Sequence, residues 1–154
     1  MRGYSYVVER KVAHMKKKKV KKLSQTKLLR KYEPELRDII IKRDGNKCVI
    51  AGYRHKCSAR LVADHRPSGR KNHSTFLDPR NLSTVCATAN MLAQWDDFIS
   101  AAIRVEVMQR EGAGIIEELE KLSRTPKKWD ELSIRAHLDN CKRYFLKNKS
   151  GCPE

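Results

Sequence analysis

The chain lacks the features that would place it in a membrane or give it a disulfide framework. No run approaches the roughly 18 consecutive apolar residues that a membrane span needs. No hydrophobic stretch lies near Met1, so no secretory signal is expected. The five cysteines are an odd number, which suits a reducing compartment better than paired bridges. There is no internal repeat. Hydrophobic content, 40% of 154 residues, is slightly low, yet the length allows one compact domain with a modest core.

Acid is scarcest at the start. Residues 1–31 hold 12 of the 34 lysines and arginines and a single carboxylate, Glu9. The whole chain carries a net +16, and about two-thirds of that excess sits in this segment. Such a charge speaks to partners rather than to fold, and a polyanion is the expected one. The block Lys16, Lys17, Lys18, Lys19, Lys21 and Lys22 repels itself and reads as a mobile, phosphate-tracking arm. A solvated tail and a nuclear-import signal are the other readings of the same run.

Residues 33–44 predict a short helix with Pro34 in its first turn and Leu36, Ile39 and Ile40 as its buried stripe, ended by Asp44-Gly45-Asn46. Cys48-Val49-Ile50 predicts a strand broken by Gly52. A second strand, 60–63, delivers Asp64 and His65 at its end, and a third covers 82–85. Between them runs a polar loop in which Arg66, Arg70 and Lys71 are suited to phosphate contacts. One helix is expected from near Thr88 through Trp95, Phe98, Ile99, Ile103 and Val107 to Glu111. A second carries Ile115, Ile116, Leu119 and Leu122. A last, capped by Asp130, carries Leu132, Ile134, Leu138, Cys141, Tyr144 and Phe145.

The chemistry concentrates in Asp64-His65, Asn81 and Asn90. Asp64 and Asn90 offer oxygen ligands of the kind magnesium prefers, and phosphate oxygens and water can complete its shell. An imidazole titrates near neutral pH and can take a proton from an attacking water. Successive residues of a strand face opposite ways, so Asp64 could reach a metal while His65 reaches the water. Taken singly, each of these residues is more often plain surface or turn; the set and its spacing point to hydrolysis.

This stretch resembles the HNH, or ββα-metal, nucleases, whose pattern is an acid-His or His-His pair, a central Asn in a loop and a closing His or Asn on a helix. A closer resemblance is to the phage NinG/Rap recombination endonucleases. It rests on Arg43-Asp44-Gly45 before Cys48, on His65-Arg66-Pro67-Ser68-Gly69 with His73 and Phe76, and on Glu117-Glu118-Leu119-Glu120-Lys121-Leu122 and Pro126-Lys127-Lys128-Trp129. It spans roughly residues 36–146. It implies His65 as general base, Asp64 and Asn90 as ligands of a catalytic Mg2+ or Mn2+, and Asn81 as the brace that orients His65. His73 would contact phosphate or the substrate backbone, although a lone His in a polar loop is more often surface.

The chain departs from the family at its structural zinc. Many relatives hold one with two CxxC pairs; here alanine stands at the second position of each, Ala51 after Cys48 and Ala89 after Cys86. The preferred reading is a knuckle without zinc, with Cys48 and Cys86 packing against those alanines. A rearranged site using Cys48, Cys57, Cys86 and His55 has unusual spacing and comes second. A Cys48–Cys86 disulfide is the third reading.

The expected fold is therefore α+β: a small ββα-metal core with an N-terminal helix over 32–111, preceded by the flexible basic arm 1–31 and followed by a helical extension over 112–154. The expected function is metal-dependent DNA endonuclease, with branched recombination or repair intermediates as the substrate that the resemblance implies. Two further readings are a non-specific or homing- or restriction-type HNH nuclease, and a non-catalytic DNA-binding protein on the same scaffold. A homodimer built through the C-terminal helices would suit a branched substrate. The expected compartment is the cytoplasm, that of the host cell if the chain is phage-encoded.

Overall fold

A computed structural model describes residues 23–66 and 72–147, the side chains of 146 and 147 excepted. Among them are five helices and one two-stranded antiparallel sheet, an α+β architecture. No helix of the described residues is long and apolar enough to cross a membrane.

Helix α1 (Gln25–Arg43) begins well before the expected start at residue 33. Leu28, Leu29 and Tyr32 extend the stripe of Leu36, Ile39 and Ile40 backwards at three- and four-residue spacing, and all six are buried. Ser24 caps the helix by accepting from the Lys27 N–H. The stretch 25–31, read from sequence as part of the arm, is thus helical. Pro34 then lies inside the helix, on its exposed side, where it removes one intrahelical hydrogen bond. Replacing it with alanine restores that bond, offset in part by a freer unfolded chain. Pro34→Ala should raise unfolding stability by about 2 kcal/mol, measured by urea denaturation; a loss of stability would show that the break in α1 is required.

The expected strand at 48–50 does not form. Ala51 N–H bonds the Cys48 carbonyl and Tyr53 N–H the Ile50 carbonyl, so the backbone closes into turns. The run still buries Cys48 and Ile50, and one bond, Val49 N–H to the Thr84 carbonyl, ties it to the sheet.

Strand β1 (Leu61–His65) pairs with β2 (Leu82–Cys86) in a register that sets Leu61 opposite Cys86 and His65 opposite Leu82. The hairpin lies between two cores. On one side Ala63 and Leu82 meet the α1 stripe, Phe76, Leu77 and Trp129; on the other Val62 and Val85 meet Cys48, Ala89, Ile99 and Ile103.

The single helix expected after Thr88 is two: α2 (Ala87–Leu92) and α3 (Asp97–Glu111). Asp96 starts the second by accepting from the N–H groups of Phe98 and Ile99. Ile99, Ile103 and Val107 are buried as expected, but the break turns Trp95 and Phe98 outward, 84% and 62% exposed. Helix α4 (Ile115–Ser123) packs on α3 through Ile115, Ile116 and Leu119. Helix α5 (Glu131–Lys147) buries Ile134, Leu138 and Cys141 against α1, while Leu132 and Tyr144 are exposed. Asp130 caps it through the Ser133 N–H. Glu131 joins α5 to α1: hydrogen bonds from Tyr32, Lys31 and Arg135 hold its carboxyl down at about 2.

Candidate functional site

Alternation along β1 separates the two residues at its end. His65 turns toward the α1 side. It is buried, its ring is stacked obliquely on Phe76 at 4.9 Å, and its Nε2 lies 3.0 Å from the Phe76 carbonyl. A carbonyl only accepts, so Nε2 carries the proton and Nδ1 is the basic nitrogen of that tautomer.

Asp64 shares the opposite face with Val62, toward α2 and α3. Burial raises its carboxyl pKa, against the pull of Arg66 and the His65 N–H. Arg66 Nε donates to it at 2.6 Å, and the same guanidinium reaches Ser100 on α3 at 3.4 Å. Arg66, one of the expected phosphate contacts, is therefore engaged with Asp64. Asn90 sits half-buried on α2, which packs on both strands.

Asn81 ends a 3-10 turn, Pro79–Asn81, directly before β2 and is fully buried. Its Nδ2 donates to the Thr75 carbonyl at 3.2 Å. It thus braces the loop at the residue next to Phe76, whose carbonyl holds the His65 ring. His73 stands apart from this group. Its Nε2 meets the Thr26 hydroxyl of α1 at 3.2 Å, and its carbonyl accepts from the Trp129 indole at 2.9 Å. Trp129 is itself fixed by a reciprocal pair of bonds with the Gln25 amide. Lys16, Lys17, Lys18, Lys19, Lys21, Lys22, Arg70 and Lys71 lie outside the described residues.

Sequence reasoning missed the clasp beneath the loop. Arg43 pairs with Asp44 through two bonds, 2.6 and 2.9 Å, and both side chains are under 10% exposed. Arg43 also donates to the Pro79 and Leu82 carbonyls, and Asp44 accepts from the Thr84 N–H at 2.8 Å. Arg110 adds bonds to the Arg80 and Leu82 carbonyls. The end of α1 is thereby locked to both ends of the segment that carries Asn81. Burial opposes the charge on Asp44, but Arg43 and the Thr84 N–H outweigh it and hold the carboxyl below its ordinary range. The signal was an Arg-Asp pair at a helix end, which reads equally well as solvent-exposed capping.

A second group forms at the other end of the hairpin. The ligand atoms of Cys48, His55, Cys57 and Cys86 all lie within 4.8 Å of one another, so this cluster could hold a metal. The expected knuckle of Cys48 and Cys86 packed on two alanines holds only in part: Ala89 is buried, but Ala51 is exposed. The four residues set second on spacing are the ones brought together, because Gly52 and Arg54 take left-handed φ values of 80° and 50° and fold the loop back. Burial resists ionisation of both buried thiols. At Cys86 hydrogen bonds from the N–H groups of Ala89 and Ser58 oppose it and the thiol comes down to about 6; at Cys48 burial prevails and the value rises to about 11. The four cysteines among the described residues are unbridged.

Comparison with protein-family models, with curated proteins and with solved structures finds no match to this chain.

Proposed function

We propose that the chain is a metal-dependent DNA endonuclease of HNH type, acting at the hairpin end that carries Asp64 and His65. The observation that carries this reading is the fixed imidazole. One ring nitrogen of His65 is tied to the Phe76 carbonyl and the loop bearing that carbonyl is braced by Asn81, which fixes the ring's orientation and the tautomer in which Nδ1 is the basic nitrogen. Chain order supports it: the acid-His pair ends β1, Asn81 precedes β2, and Asn90 rides on the helix that follows.

In this reading His65 takes a proton from the attacking water at Nδ1. Asp64 and Asn90 supply one carboxylate and one amide oxygen, hard donors that fit magnesium or manganese. The cation, when bound, stabilises negative charge on the phosphate and on the departing oxygen. Asp64 already holds a cation, the Arg66 guanidinium, so the pocket around this carboxylate accommodates positive charge. Branched DNA is the preferred substrate class, on the resemblance to NinG/Rap enzymes.

A second reading, a DNA-binding protein without catalysis, takes its support from the same ion pair, which satisfies Asp64 with no metal. Incubating plasmid and a four-way junction with the protein and Mg2+ or Mn2+ separates the two. Metal-dependent cutting supports the nuclease; tight binding with intact DNA supports the alternative.

The basic arm enters the same proposal. Residues 1–22 hold nine lysines and arginines and end before α1, so they can be removed without cutting the helix. Their deletion should make log affinity less steep in log salt, by about 0.9 for each phosphate that the arm no longer neutralises. An unchanged slope would remove the arm from the interface.

A further inference from the structure

We infer that Cys48, His55, Cys57 and Cys86 form a closed, tetrahedral site for a zinc ion, which ties the 48–57 loop to the junction of β2 and α2. The inference does not rest on the nuclease reading.

Distances support it first. Tetrahedral zinc, with sulfur at about 2.3 Å and nitrogen at about 2.0 Å, sets neighbouring ligand atoms roughly 3.6–3.8 Å apart. Here His55 Nε2 lies 3.3 Å from the sulfurs of both Cys57 and Cys86, and no ligand atom is beyond 4.8 Å from another. An ion would need only a small expansion at the imidazole and a small contraction elsewhere.

The imidazole is also oriented for a metal. His55 Nδ1 lies 2.6 Å from the Tyr53 carbonyl, so Nδ1 carries the proton and Nε2 presents its lone pair to the sulfurs. A histidine ligand held through its other nitrogen by a backbone carbonyl is the usual outer-shell arrangement of zinc sites. The left-handed residues Gly52 and Arg54 produce the bend that makes this possible. A Cys48–Cys86 disulfide would use neither His55 nor Cys57 and leaves the aim of Nε2 at two sulfurs unexplained.

Donor chemistry selects the ion. Three thiols and one imidazole are soft and borderline ligands, which select zinc over magnesium or calcium. Four protein ligands leave no open position, so the ion is structural rather than catalytic. Cys86 accepts from the Ala89 N–H at 3.3 Å, which helps to neutralise a thiolate there. Ala89 thus serves the site through its backbone where a second cysteine of a CxxC pair would serve through its sulfur.

Position gives the ion its role. Cys86 ends β2 opposite Leu61, so the cluster lies about 10 Å along β1 from Asp64, three residues at ~3.4 Å each. The two sites are separate. The zinc anchors the first turn of α2, the helix that carries Asn90, to a loop that otherwise meets the sheet through the single Val49–Thr84 bond among those between backbones.

Elemental analysis of the full chain, purified from zinc-supplemented cells, should count one zinc per chain. Cobalt exchanged into it should give the visible spectrum of a tetrahedral ion with a thiolate charge-transfer band. Cys57 is exposed, so Cys57→Ser need not disturb packing; it should weaken the metal by more than the roughly 10–100-fold that loss of an outer-shell partner causes. His55→Cys should retain the ion and strengthen the charge-transfer band, and it decides the matter if Cys57→Ser fails to fold. Folded protein that takes up neither zinc nor cobalt overturns the site. So does a cobalt spectrum indifferent to Cys57→Ser, or to His55→Cys. None of these readouts involves DNA cleavage, so the nuclease reading can fail while this one stands.

Discussion

Replacing His65 with alanine should lower DNA cleavage by about 10²–10⁴-fold, the range that one positioned acid-base group supplies, while leaving DNA affinity within a factor of a few. The expectation follows from position. His65 sits at the end of β1 with Nε2 held by the Phe76 carbonyl, and the proposed base is Nδ1. The side chain is buried, so alanine also loosens its packing against Phe76. A melting curve of the variant therefore accompanies the rate. Loss of cleavage in a folded variant that still binds the junction supports the assignment. Undiminished cutting would show that the proton is taken elsewhere. Asp64→Asn provides a complementary test: it keeps the shape, removes the charge, and should raise the metal concentration needed for half-maximal cleavage.

The largest effect on stability should come from Asp44→Ala. The change strands the Arg43 guanidinium in a site where it is under 10% exposed, and it deletes the acceptor for the Thr84 N–H. Removing one partner of a buried pair costs about 3–5 kcal/mol, because the other charge is left uncompensated. That corresponds to a fall in Tm of more than about 6 °C for a chain of this size. Changing Arg43 to methionine together with Asp44→Ala should recover part of the loss, since no charge then remains unpaired. A fall under about 1 kcal/mol for Asp44→Ala would mean that the pair is solvated. The pH dependence has a definite sign. The Asp44 carboxyl is held below its ordinary range in the folded protein, so its contribution is complete above the unfolded value and is lost as pH falls through the folded one. Acid denaturation of the wild type should be steeper at its low-pH end than that of Asp44→Ala.

The clasp and the catalytic reading meet in the loop. Arg43 and Asp44 grip Pro79, Leu82 and Thr84, the residues on either side of Asn81, and Asn81 braces Thr75 beside Phe76. Weakening the clasp should therefore loosen the carbonyl that orients His65. A partial loss of cleavage in Asp44→Ala, at a temperature where the variant remains folded, would register that coupling.

Much of the local structure was legible because its causes are local. The Asp130 cap, the α4 stripe apart from Leu122, which is exposed, and the two strands flanking Asp64-His65 and Asn81 follow from spacing and capping chemistry, and each forms close to where the pattern puts it. The start of α1 was misplaced because Pro34 suits a first turn, whereas the stripe from Leu28 to Ile40 finds its partner only in α5 and the hairpin. Trp95 and Phe98 continue an apolar pattern, but the Asp96 cap interrupts the helix between them and sends both outward. Cys48-Val49-Ile50 has the composition of a strand, yet its backbone closes on itself in turns while its side chains go to the core.

By itself the sequence determined that this protein has an α+β fold with a helical extension, that its excess positive charge is concentrated in residues 1–31, and that Asp64, His65, Asn81 and Asn90 occupy a strand end, a loop end and a helix in that order. These are consequences of hydrophobic period, capping and charge counting, all of which act over a few residues. Only the tertiary structure decided which of them meet. It turned Nε2 of His65 to the Phe76 carbonyl, gave Asp64 to Arg66, built a clasp from Arg43, Asp44 and Arg110, and gathered Cys48, His55, Cys57 and Cys86. Most of these outcomes join groups far apart in the chain, such as Arg43 with Leu82 or Cys48 with Cys86, and even the near neighbours Asp64 and Arg66 meet in a place set by packing, so spacing in the sequence carries no record of them.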